Sequence, residues 1–399
     1  MPNYTHVQFI SWEIYTGPNR GPLPWSLASP GQSYTGLAGT RKDPRVDVTW
    51  QVQDIKNRVF CTEHVLREAR RHIDTSPITL KIFMAPEFLY RGKGGAYIHD
   101  LLNGWNGPAP TELGIEFYPY PGLFGLLQDI AAKEEYGDWL FVFGTAISAS
   151  FPTRVVDGKR ILDGTDMSEI YNTALVQRGG PGNTNDAYAS RKHYISPIDF
   201  LKYSLGRGAF AHENILPADI EYMVPREDNI EGSAIFSING LNDRNGRPIK
   251  FGLEVCLDHA ASPTGTNIRN RWGRIRSAHK WVNIQLVPSG GMSLQSDSIR
   301  LTGNTSLPTG CYAFNCDGLT TLKSPTLNVR WGAHTQIWNG PDTPLIQANL
   351  GEKVADTTLL EFGLNPIPWE KRQTTVDPVK LWDLGAGWVR VMPPQVLMP

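Results

Sequence analysis

Three polar residues of this 399-residue chain occupy positions from which they could carry out covalent acyl transfer. Glu87 stands in "IFMAPEFLYR", Lys192 in "YASRKHYIS" and Cys256 in "FGLEVCLDHA", each at or just beyond the end of a predicted strand, where catalytic groups concentrate. A thiol must lose its proton before it attacks a carbonyl carbon, and a carboxylate can accept that proton. A fixed cation and a backbone N–H can stabilise the oxyanion that results.

The elements that must position these residues alternate between strands and helices, which predicts an α/β fold. Residues 52–73 carry apolar side chains at helical spacing and predict an amphipathic helix, with Cys61 roughly opposite the apolar stripe as a packing residue. "GLFGLLQDIAAKEEYGDW" predicts a second helix. The pattern after about residue 350 is rich in Pro and Trp and does not favour one element. The strands are predicted at "THVQFISW", "ITLKIFMAPEF", "LFVFGTAIS", "EIYNTALVQRGG", "IKFGLEVCLDH" and "KWVNIQLVPSGGM".

Composition excludes several classes of protein. A formal net charge of −1 gives no footprint for nucleic-acid binding and no general attraction to anionic membranes. Four cysteines in so long a chain do not form a disulfide framework. The first residues, "MPNYTHVQFISWEIYTG", have no basic region before an apolar stretch, and no window is apolar enough to span a bilayer. We therefore expect a cytoplasmic protein that binds neither nucleic acid nor membrane.

The motifs around the three residues resemble, in this order, the Glu-Lys-Cys triad of the nitrilase, or carbon–nitrogen hydrolase, superfamily. The segments "FVFGTAIS", "YNTALV", "VCLD" and "NIQLVPSGG" extend the resemblance over roughly residues 5–300. The resemblance implies an α/β fold of the four-layer αββα sandwich type, which commonly forms homodimers or larger homo-oligomers. We expect a hydrolase domain at residues 1–350. Residues 351–399 would be an extension packed on that domain or on a neighbouring subunit.

The resemblance also implies roles for individual residues. Glu87 would be the general base, Cys256 the nucleophile, and Lys192 with the amide N–H of Leu257 the oxyanion stabilisers. Taken singly, each triad residue has a structural interpretation, such as a core cysteine or a glutamate in the first turn of a helix. We favour the chemical interpretation of the set, because three independent placements would otherwise have to coincide in the family's order.

Two segments depart from the family pattern. Many members carry a further glutamate shortly after the lysine, whereas this chain offers Asp199, a shorter acid, or Glu213. A long loop rich in Gly and Pro at residues 17–44 and an insertion near residues 205–235 could reshape the pocket or the subunit interface. Which acid would serve as an accessory group stays open.

The implied substrate is a small molecule with a non-peptide C–N bond, and no cofactor or metal is required. The "C-L-D" pattern resembles the amidase and carbamoylase branches more than the nitrilase branch, so an amide or carbamoyl compound is favoured over a nitrile. A non-catalytic binding or scaffold protein on the same fold is the alternative function. Proximity to the motifs suggests four substrate-binding residues, which are Phe88, Tyr90, His259 and Ser289.

Three further features have competing interpretations. Cys311 and Cys316 in "CYAFNC" are close in sequence, but no second Cys/His pair at zinc spacing accompanies them. The basic run "RNRWGRIRSAHK" predicts a solvated helix face, with attraction of an acidic substrate or a neighbouring subunit as the functional interpretation. A cysteine peptidase would need a histidine base, and the chain shows no local signature of those families.

Overall fold

The structure is a computed structural model that describes most of the N-terminal two thirds of the chain and shorter stretches beyond. Asp199, Glu213 and most of the segments 17–44 and 205–235 lie outside the described residues. The described residues are 3–18, 34–41, 43–116, 119–166, 168–193, 233–259, 273–302, 310–319, 335–339, 344–346, 352–356, 362–363 and 375–397.

The described part of the chain contains several sheets and few helices. The helices are α1 (Val48–Arg70), α2 (Asp100–Asn103), α3 (Gly122–Ala131) and α4 (Arg274–Ser277). The first strands are β1 (Asn3–Tyr4), β2 (His6–Glu13), β3 (Thr79–Met84), β4 (Tyr97–Ile98), β5 (Trp139–Ser150), β6 (Thr153–Val156), β7 (Lys159–Leu162), β8 (Glu169–Arg178) and β9 (Ala187–Arg191). The later strands are β10 (Ile235–Phe236), β11 (Asn242–Asp243), β12 (Phe251–Leu253), β13 (Ile284–Ser289), β14 (Tyr312–Asp317), β15 (Thr335–Trp338), β16 (Pro344–Ile346), β17 (Glu352–Asp356), β18 (Phe362–Gly363), β19 (Thr375–Val376), β20 (Trp388–Val391) and β21 (Gln395–Val396).

The larger sheet, which we call the first sheet, has nine strands. Its order is β17-β20-β2-β3-β5-β8-β9, with β21 also paired to β2 and β4 to β5. β2, β3 and β5 are parallel neighbours, whereas β8 is antiparallel to β5 and β9 is antiparallel to β8. β3, β5 and β9 therefore run in the same direction. The residues that follow these strands lie at the same end of the sheet.

The second sheet has six strands in the order β10-β12-β13-β14-β15-β16, and β12, β13 and β14 are parallel. It packs face to face on the first sheet, since the ring of Phe9 lies 5.4 Å from that of Tyr312 and 4.9 Å from that of Phe314. The amide of Glu87, just beyond β3, donates to the carbonyl of Ser289 at the end of β13, at 3.3 Å. The carboxyl ends of strands from both sheets therefore meet at one place.

Strand residues alternate between two cores. In β5, Leu140 and Val142 face the second sheet, whereas Phe141 faces α1 and α3, which cover the outer side of the first sheet. Each fully buried side chain of this kind stabilises the fold by about 1.5–3 kcal/mol. A third, smaller core lies on the outer side of the second sheet, where α4 contributes Ile275. Among the described residues, none of the helices is long and apolar enough to cross a membrane.

The predicted helix at residues 52–73 is α1, which spans Val48–Arg70. Its Cys61 is buried in the same core as the apolar stripe, between α1 and the first sheet, so the prediction that it lies opposite that stripe is wrong. The C-terminal part of the chain, which the sequence pattern did not place, adds β20 and β21 to the edge of β2 and β17 to β20. Trp382 packs edge-on against Trp12, with ring centroids 5.5 Å apart. These residues complete the first sheet.

Candidate active site

Glu87, Lys192 and Cys256 follow β3, β9 and β12 respectively, and the structure brings them to the same end of the two sheets. Lys192 Nζ lies 2.9 Å from Glu87 Oε1, and the two side chains are 1% and 0% exposed. A buried ion pair costs several kcal/mol of desolvation per ion unless further hydrogen bonds complete it. The contact joins segments that are more than one hundred residues apart.

Asn172, in the middle of β8, provides a further hydrogen bond to this pair. Its side-chain amide donates to Glu87 Oε1 at 2.7 Å, so that oxygen accepts from two donors. The motif "YNTALV" predicted a strand but no role for Asn172. A signal was present, because Asn172 has the same strand parity as Ala174 and Val176, which face the second sheet. A polar side chain at such a position must find a buried partner.

Gly290 connects the carboxylate to the thiol. Cys256 Sγ lies 4.0 Å from the carbonyl O of Gly290. A Cβ added at Gly290 would lie 3.0 Å from Glu87 Oε2 and 2.6 Å from the ring of Phe88. Glycine alone fits here, and the Oε2 side of the carboxylate faces the same residue that the thiol contacts. Glu87 is therefore anchored through Oε1, while Oε2 lies beside Gly290, whose carbonyl oxygen the Cys256 thiol contacts.

The backbone at this site adopts the left-handed region at two residues. Phe88 has φ 66° and Cys256 has φ 49°; Asp157 and His279 are the other non-glycine residues with positive φ in the described chain. Such a conformation costs on the order of 1–3 kcal/mol for a residue with a side chain, and it clusters at functional sites. The Phe88 conformation is fixed by its amide, which donates to Thr145 Oγ1 at 2.9 Å.

Cys256 begins a single 3₁₀ turn, Cys256–Asp258. The amide of Asp258 donates to Val255 O at 3.0 Å, and that of His259 donates to Cys256 O at 2.8 Å. The Leu257 amide belongs to the start of the turn, where N–H groups have no acceptor within the turn itself. It is adjacent to the thiol in sequence, as the predicted oxyanion role requires.

Two predicted substrate-binding residues, Phe88 and Tyr90, lie in different places. The Phe88 ring lies against Gly290, with Lys192 Nζ 5.8 Å from its centroid. The Tyr90 hydroxyl lies 2.8 Å from Thr62 Oγ1 of α1, within the core on the helical side of the first sheet. Burial raises the pKa of Tyr90 above its usual value. Phe88 lines the site, and Tyr90 faces away from it.

The other two predicted substrate-binding residues, His259 and Ser289, are buried and bonded to neighbours. His259 Nε2 accepts the amide of Gln295 at 3.0 Å, so the ring proton is on Nδ1, which lies 2.7 Å from Glu254 Oε2. Ser289 Oγ lies 2.7 Å from Asn315 Oδ1. In this arrangement both residues connect structural segments rather than presenting polar atoms to a ligand.

Arg91 connects the described end of the long loop to the site. Its guanidinium carbon lies 3.9 Å from the ring centroid of Phe88 and 4.3 Å from that of Tyr34. Both aromatic residues and Arg91 are buried. Tyr34 belongs to the predicted loop 17–44, so the stack of three side chains carries that loop to the wall of the site.

The remaining cysteines have different surroundings. Burial raises the pKa of the Cys61 thiol to about 12. Cys316 lies in the core between the sheets, where burial also raises the pKa of its thiol, whereas Cys311 lies on the outer side of the second sheet. Cys311 and Cys316 therefore face opposite sides and cannot bind one ion together. In the part of the chain that the structure describes, no group of three or more His, Cys, Asp or Glu residues is arranged to hold a metal.

Comparisons with known proteins give distant similarity only. No protein-family model matches the chain, and no curated protein matches it. Among solved structures, it is similar to crystal structures of N-terminal amidase, including complexes with a Gln-Gly peptide and an Asn-Glu peptide, each with 12% identity and a TM-score of 0.30. The alignments cover 72% of this chain and 48% of the other, so the chain spans about half the length of the structures it matches. At this TM-score the similarity establishes neither the fold nor the activity.

Proposed function

We propose that the chain is a cysteine-dependent hydrolase of a non-peptide C–N bond in a small molecule, of the nitrilase superfamily. The observation that carries this proposal is the buried Lys192–Glu87 contact of 2.9 Å beside a cysteine in the left-handed region. A buried ion pair is weak support for stability, and apolar residues in its place are often at least as stabilising. A buried ion pair together with a cysteine in a strained backbone conformation is expected at a catalytic site, where such features cluster.

The reaction begins when Glu87 Oε2 accepts the thiol proton and Cys256 Sγ bonds to the carbonyl carbon. The Lys192 ammonium and the Leu257 amide stabilise the negative oxygen of the tetrahedral intermediate. The C–N bond then breaks, the leaving nitrogen takes the proton from Glu87, and a thioester remains on Cys256. Water gives a proton to Glu87 as it attacks the thioester, and the acid leaves as the thiolate regains that proton.

Asn172 has a defined part in this scheme. Because its amide and Lys192 both donate to Oε1, the carboxylate cannot rotate without breaking two hydrogen bonds. The base is therefore preorganised, with Oε2 beside Gly290. The thioester route needs no cofactor, because the thiol, carboxylate and ammonium supply the nucleophile, the base and the cation.

An amide or carbamoyl substrate is the favoured choice on the "C-L-D" pattern, and a nitrile is the second. Because the polar atoms of His259 and Ser289 are bonded to neighbouring protein groups, we keep Phe88 as the proposed substrate-binding residue. The alternative function, a non-catalytic binding or scaffold protein, would retain the fold without turnover. Asp199 or Glu213 remains the proposed accessory acid.

The assembly belongs to the same proposal. We propose a four-layer αββα sandwich at residues 1–350 that forms a homodimer or larger homo-oligomer, with residues 351–399 as its extension. The two central sheets and the α1 and α3 layer are consistent with three of those layers. Light scattering coupled to size-exclusion chromatography would measure the oligomeric state, and a monomer at micromolar concentration would overturn the assembly.

The deciding experiment measures ammonia release from a panel of amides, carbamoyl compounds and nitriles. Intact-protein mass spectrometry after a rapid acid quench should detect an acyl adduct on Cys256 with any substrate that turns over. Cys256→Ala is the control and should give neither product nor adduct. Turnover that Cys256→Ala retains would overturn the thioester mechanism, and a panel without turnover or adduct would favour the scaffold alternative.

A further inference from the structure

We propose that Asp258 is a positioning residue that holds the Lys192 segment against the Cys256 turn. This inference extends the proposed function of the same site, because it names the group that sets the distance between the cation and the nucleophile. Asp258 is fully buried, and its carboxylate contacts the backbone amide of His193 and the guanidinium of Arg274. Its effect would act through Lys192.

The contacts of the Asp258 carboxylate identify what it holds. Its Oδ1 and Oδ2 lie 3.0 Å and 3.1 Å from the backbone N of His193, the residue that follows Lys192. On the other side, the amide of Lys192 donates to the carbonyl of Asn172 at 2.8 Å. The backbone of Lys192 is thus fixed from both directions, by Asn172 in β8 and by Asp258 in the cysteine turn.

The cysteine turn needs such external contacts because its backbone is strained. Cys256 has φ 49°, a conformation that persists only when surrounding structure determines it. Glu254 accepts the amide of Ile275 at 2.8 Å, which fixes the turn on α4. His259 is bonded to Glu254 within the same segment. Of these three buried polar side chains, Asp258 is the one whose described contacts reach the segment that carries the lysine.

Arg274 completes the charge arrangement around Asp258. Its Nη1 lies 3.5 Å from Asp258 Oδ2, and both side chains are 1% exposed. Arg274 belongs to "RNRWGRIRSAHK", for which a solvated helix face was the sequence prediction. The structure instead buries this arginine behind the cysteine turn. A buried carboxylate needs a partner of opposite charge, and Arg274 allows Asp258 to receive the His193 amide as an anion.

The consequence concerns reactivity of the thiol even without a substrate. A cation held near a thiol favours the thiolate, which is the form that alkylating reagents attack. If Asp258 sets the position of Lys192, its loss should reduce the thiolate fraction of Cys256 as the loss of Lys192 itself does. A role confined to stability would leave the reactivity of the folded protein unchanged.

The experiment measures the second-order rate of iodoacetamide alkylation at Cys256 in the native full chain, followed on the Cys256 peptide across a range of pH. The variants are Asp258→Ala, which removes the acceptor of the His193 amide, Lys192→Met and the double variant. Asp243→Ala is the matched control, because Asp243 also accepts backbone amides, those of Asn245 and Arg247, and pairs with the Arg247 side chain at 3.1 Å.

We expect each single variant to lower the alkylation rate near neutral pH by a factor on the order of ten, and to move the midpoint of the rate–pH curve upward. The double variant should be no slower than Lys192→Met, because Asp258 acts through that lysine. Asp243→Ala should alkylate as the unmodified chain does. A normal rate and midpoint in Asp258→Ala, or losses that multiply in the double variant, would overturn the proposal.

Asp258→Ala removes the carboxylate that pairs with the buried Arg274, so the variant could fail to fold. Asp258→Ala combined with Arg274→Met removes both charges as well as the acceptor of the His193 amide, and replacing a buried ion pair by apolar residues is often neutral for stability. This variant should show the same slow alkylation, and a normal rate would again overturn the proposal. Ammonia release by the unmodified chain separates the two claims. If no compound of the panel releases ammonia but the variants alkylate slowly as expected, the hydrolase function is overturned and the positioning role is kept. If the unmodified chain turns over a substrate but the variants alkylate at the normal rate, the positioning role is overturned and the hydrolase function is kept.

Discussion

The two ends of the first sheet differ in how far their charged side chains are buried. At the amino end of β3 and β5, charged side chains of both signs line an open cleft of about 630 Å³. At the carboxyl end, Glu87 and Lys192 are fully removed from solvent and touch each other. The charged residues of the amino-end cleft are Arg67, Arg70, Arg71, Asp74, Lys81, Glu134, Glu135 and Asp138.

The difference shows why burial matters more than the number of charges. At the amino end, Arg71 and Glu68 are 2.8 Å apart with the arginine side chain 69% exposed, and pairs of this kind contribute about 0–1 kcal/mol. At the carboxyl end, burial of the Lys192–Glu87 pair costs desolvation free energy, and the positive φ of Cys256 adds conformational strain at the same site. Stability alone would favour the first arrangement, and the proposed function accounts for the second.

The largest expected effect comes from removing the nucleophile at the carboxyl end. Cys256→Ala should abolish ammonia release, because no covalent intermediate can form. The loss of a small buried side chain at a strand end should leave the fold intact. Activity assays and near-ultraviolet circular dichroism would check both parts, and turnover by the folded variant would break the assignment of this end as the active one.

Lys192→Met should have the next largest effect. The change removes the cation while keeping a side chain of similar length, so turnover should fall by a factor on the order of a hundred, as for the loss of an oxyanion donor. The loss should appear in kcat more than in KM, because the charge is needed when the oxyanion forms. An unchanged kcat would make the Lys192–Glu87 contact structural.

Glu87, Lys192 and Cys256 were predictable because each follows a run with strand composition and because their motifs resemble, in order, the triad of a known superfamily. In the structure β3 and β9 run in the same direction, so the residues that follow them lie at the same end of the first sheet. Asn172 and Gly290 were less visible, since their roles depend on which strands are neighbours and how close two backbones come. Sheet order is set by contacts distant in sequence, which local patterns do not encode.

The C-terminal region illustrates the same limit. β20 is a short strand whose partner, β2, lies near the start of the chain. Its residues Trp388–Val391 carry no turn signal or long apolar run that would specify such a partner. The prediction of a solvated face for "RNRWGRIRSAHK" was also wrong in part. Arg274 is buried, and its ion pair with Asp258 joins two separate segments. Propensity describes a residue's own segment, and these positions are decided by another segment.

The stack of Tyr34, Arg91 and Phe88 sharpens the comparison at the rim of the carboxyl end. Arg91→Met should lower kcat by roughly twofold to thirtyfold, because a cation–π contact of about 0.5–2 kcal/mol helps to hold Phe88 in place. Arg300→Met is the control for the loss of a cation–π contact, since the Arg300 guanidinium carbon lies 4.3 Å from the ring centroid of the exposed Trp281. Steady-state kinetics on both variants would check this, and equal effects would show that the stack has no special bearing on the site.

The cysteines at the candidate site and in the cores should differ in their reactivity toward iodoacetamide. Burial raises the pKa of Cys61 to about 12, so at neutral pH its thiol keeps its proton in the folded protein and should resist iodoacetamide. Cys316 is held protonated by the same cause. Peptide mapping should therefore show Cys256 alkylated first, with Cys61 and Cys316 reacting only in denaturant. Cys61→Ala, Cys311→Ala and Cys316→Ala should each keep most of the activity, and faster labelling of Cys61 than of Cys256 would contradict the assignment.

The smallest effect is expected at the amino end. Arg70→Gln and Glu135→Gln each remove one charge from the cleft, where both side chains are exposed. Because water and salt already screen such charges, each change should alter the free energy of unfolding by no more than about 0.5 kcal/mol. Turnover should stay within the error of the assay, since the cleft lies at the opposite end of the strands from Glu87. Urea unfolding and kinetics at low and high salt would measure both quantities. A tenfold loss of turnover in either variant would show that the amino end is coupled to the site, and the contrast between the two ends would then not hold.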